Sequence, residues 1–222
     1  MMEHGWEPVR GLPARLPPGE RLLWQGSPCG WALARWAFHA RVLALYFAVL
    51  LVWGAAWSLA LGASIHAVLA SGLLPVALTA VVFGLVALLA WLSARTTVYT
   101  ITNRRVVMRF GIALPMTLNL PFAVVEAAGL LTHSDTSGDI PLSVAAPARV
   151  VSSMYWPLLW PHVRPWRLSR VEPMLRAVPD AAQVAQILGR ALAASASQPA
   201  PASLPATLAP GAEAPAHGAV AA

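Results

Sequence analysis

The chain has 222 residues, of which 58% are hydrophobic and only 11% charged. About a quarter of a soluble domain's residues are charged, so this composition predicts a lipid-facing portion, with room for one small soluble domain beside it. The formal charge is +6 and all fifteen basic residues are arginine, so their placement must decide among nucleic acid, membrane surface and acidic partners. The single cysteine, Cys29, excludes an internal disulfide or a thiolate metal framework, and no activating base is marked beside it.

In chain order, residues 1–41 read as a cytoplasmic N-terminal lead-in. From Val42 to Ala94 there is no Asp, Glu, Lys or Arg. As one helix this stretch would be roughly 80 Å long, against a hydrocarbon core of about 30 Å, so it must fold back once. The break is expected between Gly62 and Gly72, where Ser64, His66 and Ser71 also fall. That leaves Val42–Leu61 and Leu73–Leu92 as two spans of crossing length within a hairpin over 42–94. The first apolar run begins too late for a cleavable signal peptide.

Arginine placement predicts the orientation. Arg10, Arg15, Arg21, Arg35 and Arg41 precede the first span, and Arg95, Arg104, Arg105 and Arg109 follow the second. The connecting turn has none, so both termini of this multi-pass chain are expected on the cytoplasmic side. Trp36 and Trp91 lie near the cytoplasmic edge, where amphipathic rings settle. This topology accounts for most of the charge, and no basic stripe with interleaved aromatics remains for nucleic acid. Small residues at four-residue spacing (Ala44 and Ala48, Ala56 and Ala60, Ala80 and Gly84) suit packing between the spans, or with a membrane partner or second copy.

Residues 95–194 read as a cytoplasmic β-domain with a C-terminal helix. Thr97, Tyr99 and Ile101 alternate with Val98, Thr100 and Thr102, which predicts a strand, and Asn103-Arg104 reads as a tight turn. Val106, Met108 and Phe110 form the next strand, stopped by Gly111; Met116, Leu118 and Leu120 form a third, stopped by Pro121. Further strands are expected at Val124–Leu130 and Ile140–Val144, joined by a polar turn that holds His133, Asp135 and Asp139. The fold class is therefore membrane α plus β: a two-helix hairpin, then a small antiparallel β-domain closed by a helix.

The segment 154–166 carries Trp156, Trp160 and Trp166 among three prolines, which exclude a regular helix or a central strand. Two readings stay open: a loop packed over the sheet, or a surface that meets the bilayer interface or a membrane partner. Trp166 to Leu168 is compatible with a late strand. Asp180 is expected to cap a helix in a capping-box pair with Gln183, with Val184, Ile187, Leu188, Ala191 and Leu192 as its apolar stripe. Residues 195–222 are Pro, Ala and Ser with almost no charge, and read as a disordered tail.

The run Thr100-Ile-Thr-Asn-Arg-Arg-Val-Val-Met-Arg-Phe-Gly111 resembles the signature of bacterial pleckstrin-homology-like domains, which often follow transmembrane helices. A closer resemblance, over residues 5 to about 194, is to the PuhB family of photosynthetic-complex assembly proteins of purple bacteria. It is carried by Glu20-Arg-Leu-Leu-Trp-Gln-Gly-Ser-Pro28, by Arg35 to Phe47, by Trp160-Pro-His-Val-Arg-Pro-Trp-Arg167 and by Glu172 to Asp180. The resemblance implies a role in assembling the reaction centre in the intracytoplasmic membrane, with reaction-centre subunits and other assembly factors as partners.

No catalytic constellation is legible: there is no nucleophile elbow, no His-Glu-x-x-His and no phosphate-cradling glycine loop. The expectation is a non-enzyme without a resident cofactor. The position of His39, beside the first span between Arg35 and Arg41, suits ligation of bacteriochlorophyll magnesium, with His66 in the outer turn a weaker candidate; the plainer reading of His39 is an interfacial flank histidine. The contact candidates are Arg35, His39, Arg41, Arg95, Arg104, Arg105, Arg109, Trp156, Trp160 and Trp166. A competing reading is a general module in which Arg104, Arg105 and Arg109 meet anionic lipid headgroups.

Overall fold

The β-domain takes its first strand from ahead of the apolar helices. In the computed structural model, which describes residues 11–12, 15–145, 160–164 and 172–197, Leu22–Gly26 forms β1 and pairs antiparallel with β2, Val98–Thr102. Gly26 lies opposite Tyr99, so the chain leaves the sheet after β1, runs through both long helices, and returns beside its point of departure. This corrects the expected division: residues 1–41 are more than a lead-in, and the β-domain is not confined to 95–194. The sequence Leu-Leu-Trp-Gln-Gly lacks strict alternation; its extended form comes from pairing with the edge of β2, which local propensity does not report. Asn103 fastens the strand's start, accepting from Arg21 N at 2.8 Å and donating to Gly19 O at 3.0 Å.

After β1 a helical turn, α1 (Gly30–Ala32), runs into a π-helical turn at Leu33–Ala37. His39, in the left-handed region at φ 54°, redirects the chain into α2, Ala40–Ala60; α3 follows as Ile65–Thr96. Both α2 and α3 are long and apolar enough to cross a membrane, and only 0% and 6% of their apolar windows are buried. A soluble core hairpin would cover such windows; here Leu45, Val52, Trp53 and Leu73 stand open.

The hairpin turn is shorter than expected. It occupies 61–64 rather than the whole Gly62–Gly72 stretch, and α3 starts at Ile65 instead of Leu73. Gly62, at φ 82°, ends α2 in the left-handed conformation that glycine supplies, and Ser64 caps α3 by accepting from Ala67 N at 3.3 Å. Ser71 bonds back to Val68 O, and one interior glycine at 72 costs only about 1 kcal/mol, too little to stop an apolar helix.

Two sheets follow. β2, β3 (Arg105–Phe110) and β4 (Met116–Pro121) form the expected meander, with β1 on its edge. A 3-10 turn at Phe122–Val124 leads into β5 (Val125–Ala128), β6 (Leu131–Thr132) and β7 (Gly138–Val144). β7 pairs with β5, with β6 and with β8, Met174–Val178. β6 and β8 were not anticipated, because their residues carry no period-two signal. The expected strand at Trp166–Leu168 lies outside the described residues.

Tyr99, Ile101, Val106, Met108 and Phe110 of the first sheet face Ile140, Leu142, Val144, Leu175 and Val178 of the second. The last helix, α4 (Ala181–Ala196), closes this core with Val184, Leu188 and Ala191 of the expected stripe and with Ala181; Leu192 packs at its margin, and Ile187 is not part of the core cluster. Asp180 does not act as the expected capping box. Its backbone is left-handed, at φ 48°, and its side chain makes no cap bond. The sharp turn out of β8 needs a residue that tolerates the left-handed region, and aspartate does so among non-glycine residues.

Candidate functional site

Small residues bring the apolar helices onto the β-domain. Ala32, Leu33 and Ala37 of the α1–π segment pack with Ala90 of α3 and Ala177 of β8. Cys29 N donates to Ala177 O at 2.8 Å. The π turn widens the backbone, and Trp36 and Phe38 pack half-buried against the margin of this seam.

Beneath the seam lies a charged cluster. Asp139, 4% exposed, accepts from Ala177 N through Oδ1 at 2.8 Å. Its Oδ2 faces the Arg176 guanidinium, with Nε at 3.5 Å, and lies 3.3 Å from His133 Nε2, neither aligned as a hydrogen bond. The His133 ring stacks on Trp36, centroids 4.4 Å apart and planes within 8°. The expected polar turn is thus corrected in part. Asp135 and Ser137 do form it, the Ser137 hydroxyl donating at 2.7 Å. That bond, with help from Trp36 and Arg35, holds the Asp135 carboxyl below the usual carboxylate range. Asp139, however, is a buried strand residue that ties β7 to β8, because Gly138–Val144 is hydrogen-bonded on both edges.

A second buried chain pins the end of α3. Tyr99 Oη accepts from Arg176 N at 3.0 Å and lies 2.7 Å from His162 Nδ1; His162 Nε2 lies 3.1 Å from Thr97 Oγ1. The phenol also donates to Arg176 O at 3.4 Å, and each imidazole nitrogen has a hydroxyl partner. Burial pushes the Tyr99 phenol well above its ordinary range. Burial, and then the Arg176 charge, push His162 down to about 3.

The sign of the resulting pH dependence is fixed. Below pH 6.5 the unfolded chain takes up a proton at this imidazole and the folded chain does not, so folding stability is full above that pH and falls as the pH drops toward 3. The slope is up to about 1.4 kcal/mol per pH unit. Thermal melts of the detergent-solubilised protein between pH 7 and 4 should show it, and His162→Gln should flatten it; equal slopes in both proteins would refute the assignment.

The rim around the seam holds five of the ten expected contact residues, Arg35, His39, Arg41, Arg95 and Trp160. Arg35, half-buried, and Arg41, exposed, stand over Trp36 at 5.2 and 5.6 Å from its centroid; Arg95 stands over Trp91 at 4.8 Å. His39 is exposed and sets the bend into α2, outside the lining of the cleft formed by Arg35 and Arg41. Trp160 is 51% exposed and meets Phe38 edge-on at 5.1 Å. Beside them, Gly111 at φ 117° closes a turn in which any Cβ would strike the Leu114 carbonyl, and Ile112 and Leu114 project from it. These residues, with Leu89 and Ser93 of α3, line a cavity of about 260 Å³. Trp156 and Trp166 lie outside the described residues.

Arg104, Arg105 and Arg109 do not converge. Arg109 lies opposite Val98, at the α3 end of the sheet, whereas Arg104 and Arg105 sit at the β2–β3 turn, at the other end of β2. Glu20 holds Arg105 in a two-point ion pair, at 2.7 and 3.0 Å. Sequence reasoning missed Arg176, His162 and Glu20 as structural residues. Their partners lie 77, 63 and 85 positions away, beyond any local pattern.

Two antiparallel sheets closed by a C-terminal helix, with a helical hairpin seated against them, define the class. The chain belongs to the bacterial PH domain family, whose model matches residues 32–192. It is 38% identical over 207 residues to an uncharacterized 23.7 kDa protein in the puhA 5' region of Rhodobacter capsulatus, covering 90% of this chain and 92% of that one. No solved structure matches.

Proposed function

We propose that the protein is a non-catalytic assembly factor for the photosynthetic reaction centre, held in the bacterial inner membrane by two spans with both termini in the cytoplasm. The observation that carries this reading is the near full-length likeness to the protein from the puhA 5' region. The resemblance to the PuhB family and the role of arginines as topology determinants support it. In this reading the hairpin gathers nascent membrane subunits by helix packing, and the β-domain holds the rim against the cytoplasmic face. Arg35, His39, Arg41, Trp91, Arg95 and Trp160 supply the contacts. The partners are reaction-centre subunits and other assembly factors; His39 is the residue to test for pigment.

The competing reading, a general lipid module that works through Arg104, Arg105 and Arg109, loses support because the first two lie away from α3 and Arg105 is paired. Deleting the gene should lower reaction-centre content several-fold while pigment synthesis continues, read as membrane absorption spectra and subunit immunoblots. Wild-type reaction-centre levels in the deletion strain would remove the assembly role. A bacteriochlorophyll band in the purified protein that disappears on His39→Ala would make His39 a ligand.

A further inference from the structure

The two apolar helices differ in length, and the difference locates the bilayer edge. At about 1.5 Å per residue, α2 spans roughly 31 Å and α3 roughly 48 Å, while the hydrocarbon core is about 30 Å thick. Both start from one short turn, so a bilayer that α2 just crosses leaves the last turns of α3 outside it. The start of α2 at Ala40 and Arg41 is level with Phe83, Val86 and Ala87 of α3, since these residues line one cleft. That cleft, of about 330 Å³, therefore sits at the headgroup boundary on the β-domain side.

Its two ends differ in chemistry. At the upper end are Arg35 and Arg41, both held over the Trp36 ring. Arg35 Nε is buried and has no hydrogen-bond partner among the described residues, and the Arg35 charge helps hold the Asp135 carboxyl low. At the lower end the lining is Ala44, Phe83, Val86 and Ala87, with no polar group. A cationic mouth above an apolar trough matches one kind of occupant.

We propose that this cleft is a binding site for a single anionic phospholipid, with its phosphate on Arg35 and Arg41 and an acyl chain along Ala44, Phe83, Val86 and Ala87. The indole positions both guanidiniums, and both residues line the cleft, where their terminal nitrogens donate to the phosphate oxygens. The site shares Arg35 and Arg41 with the contacts of the assembly reading, but its readout, lipid bound to the purified protein, is separate from reaction-centre content. It also differs from a lipid surface on the β-sheet, because its residues come from the π turn and the hairpin.

The test is native mass spectrometry of the full-length protein in mild detergent, titrated with phosphatidylglycerol and with phosphatidylcholine. One phosphatidylglycerol should bind in preference to phosphatidylcholine. Arg35→Ala with Arg41→Ala should weaken that binding by about 30-fold, the contribution of two interfacial cations. Arg35→Lys with Arg41→Lys should keep most of it. Ala44→Trp, which fills the trough and leaves both arginines, should also displace the lipid, and Arg190→Ala on α4 should not. Equal binding of the two lipids, or full binding by the double alanine variant, would overturn the site. So would lipid binding unchanged in Ala44→Trp, which would mark the arginines as a docking point for another anionic group, such as a partner's carboxylate.

Discussion

Replacing Asp139 by alanine should remove about 3–5 kcal/mol of folding stability, the loss that follows when one partner of a buried charge pair is deleted. The substitution leaves the Arg176 guanidinium, whose residue is 7% exposed, without its carboxylate. It also leaves Ala177 N without its acceptor, at the point where β8 meets β7. Asp139→Asn keeps an acceptor for that amide and loses only the charge, so its cost should lie between wild type and alanine. Chemical denaturation of the solubilised protein, followed by tryptophan fluorescence, measures both. A loss below about 1 kcal/mol for alanine would mean that water reaches the guanidinium and that the cluster is not a closed structural unit.

Excising the hairpin should convert the chain into a water-soluble protein. Gly26 is paired with Tyr99, so Ser27 and Val98 stand where a hairpin closes, and an Asn-Gly loop between them has the twist that such a closure needs. The shortened chain loses the exposed apolar faces of α2 and α3 and keeps both sheets, α4 and their common core. It also loses the bonds that Cys29 and Thr97 make to Ala177 and His162, a cost of about 2–3 kcal/mol in all. Expression without detergent, a single cooperative melt and a strand-rich circular dichroism spectrum are the expected results. Aggregation or loss of the melt would show that the seam of Ala32, Leu33, Ala37 and Ala90 against Ala177 is needed to hold the β-domain together.

Much of this architecture is legible in the linear chain, because the signals are local. The uncharged run at 42–94, the alternation through Tyr99, Ile101, Val106, Met108 and Phe110, and the stripe at Val184, Leu188 and Ala191 each report a nearest-neighbour property, hydropathy at a fixed period. These suffice for two long apolar helices, a strand meander and a closing helix, and the structure has all three. The Arg35–Arg41 flank was also visible as charge beside an apolar run, though its convergence on Trp36 was not.

What only the tertiary structure decided depends on residues far apart. β1 takes its place by hydrogen-bonding to a strand some 75 positions away, as Gln25 does to Thr100, and no local preference of Leu22–Gly26 announces it. Asp139 read as a turn residue because aspartate beside glycine is ordinary turn chemistry; burial between two strand edges made it the anchor of Arg176. His162 sat in a Pro/Trp-rich segment with no period, and its role appears only when Thr97 and Tyr99 approach from β2 and the end of α3. Composition and periodicity thus determined the two long apolar helices, the β2–β4 meander and the closing helix. Pairing over long separations decided that the hairpin is inserted within the β-domain, because cross-strand bonds and buried charges take their partners from the folded surface and leave no trace at fixed spacing.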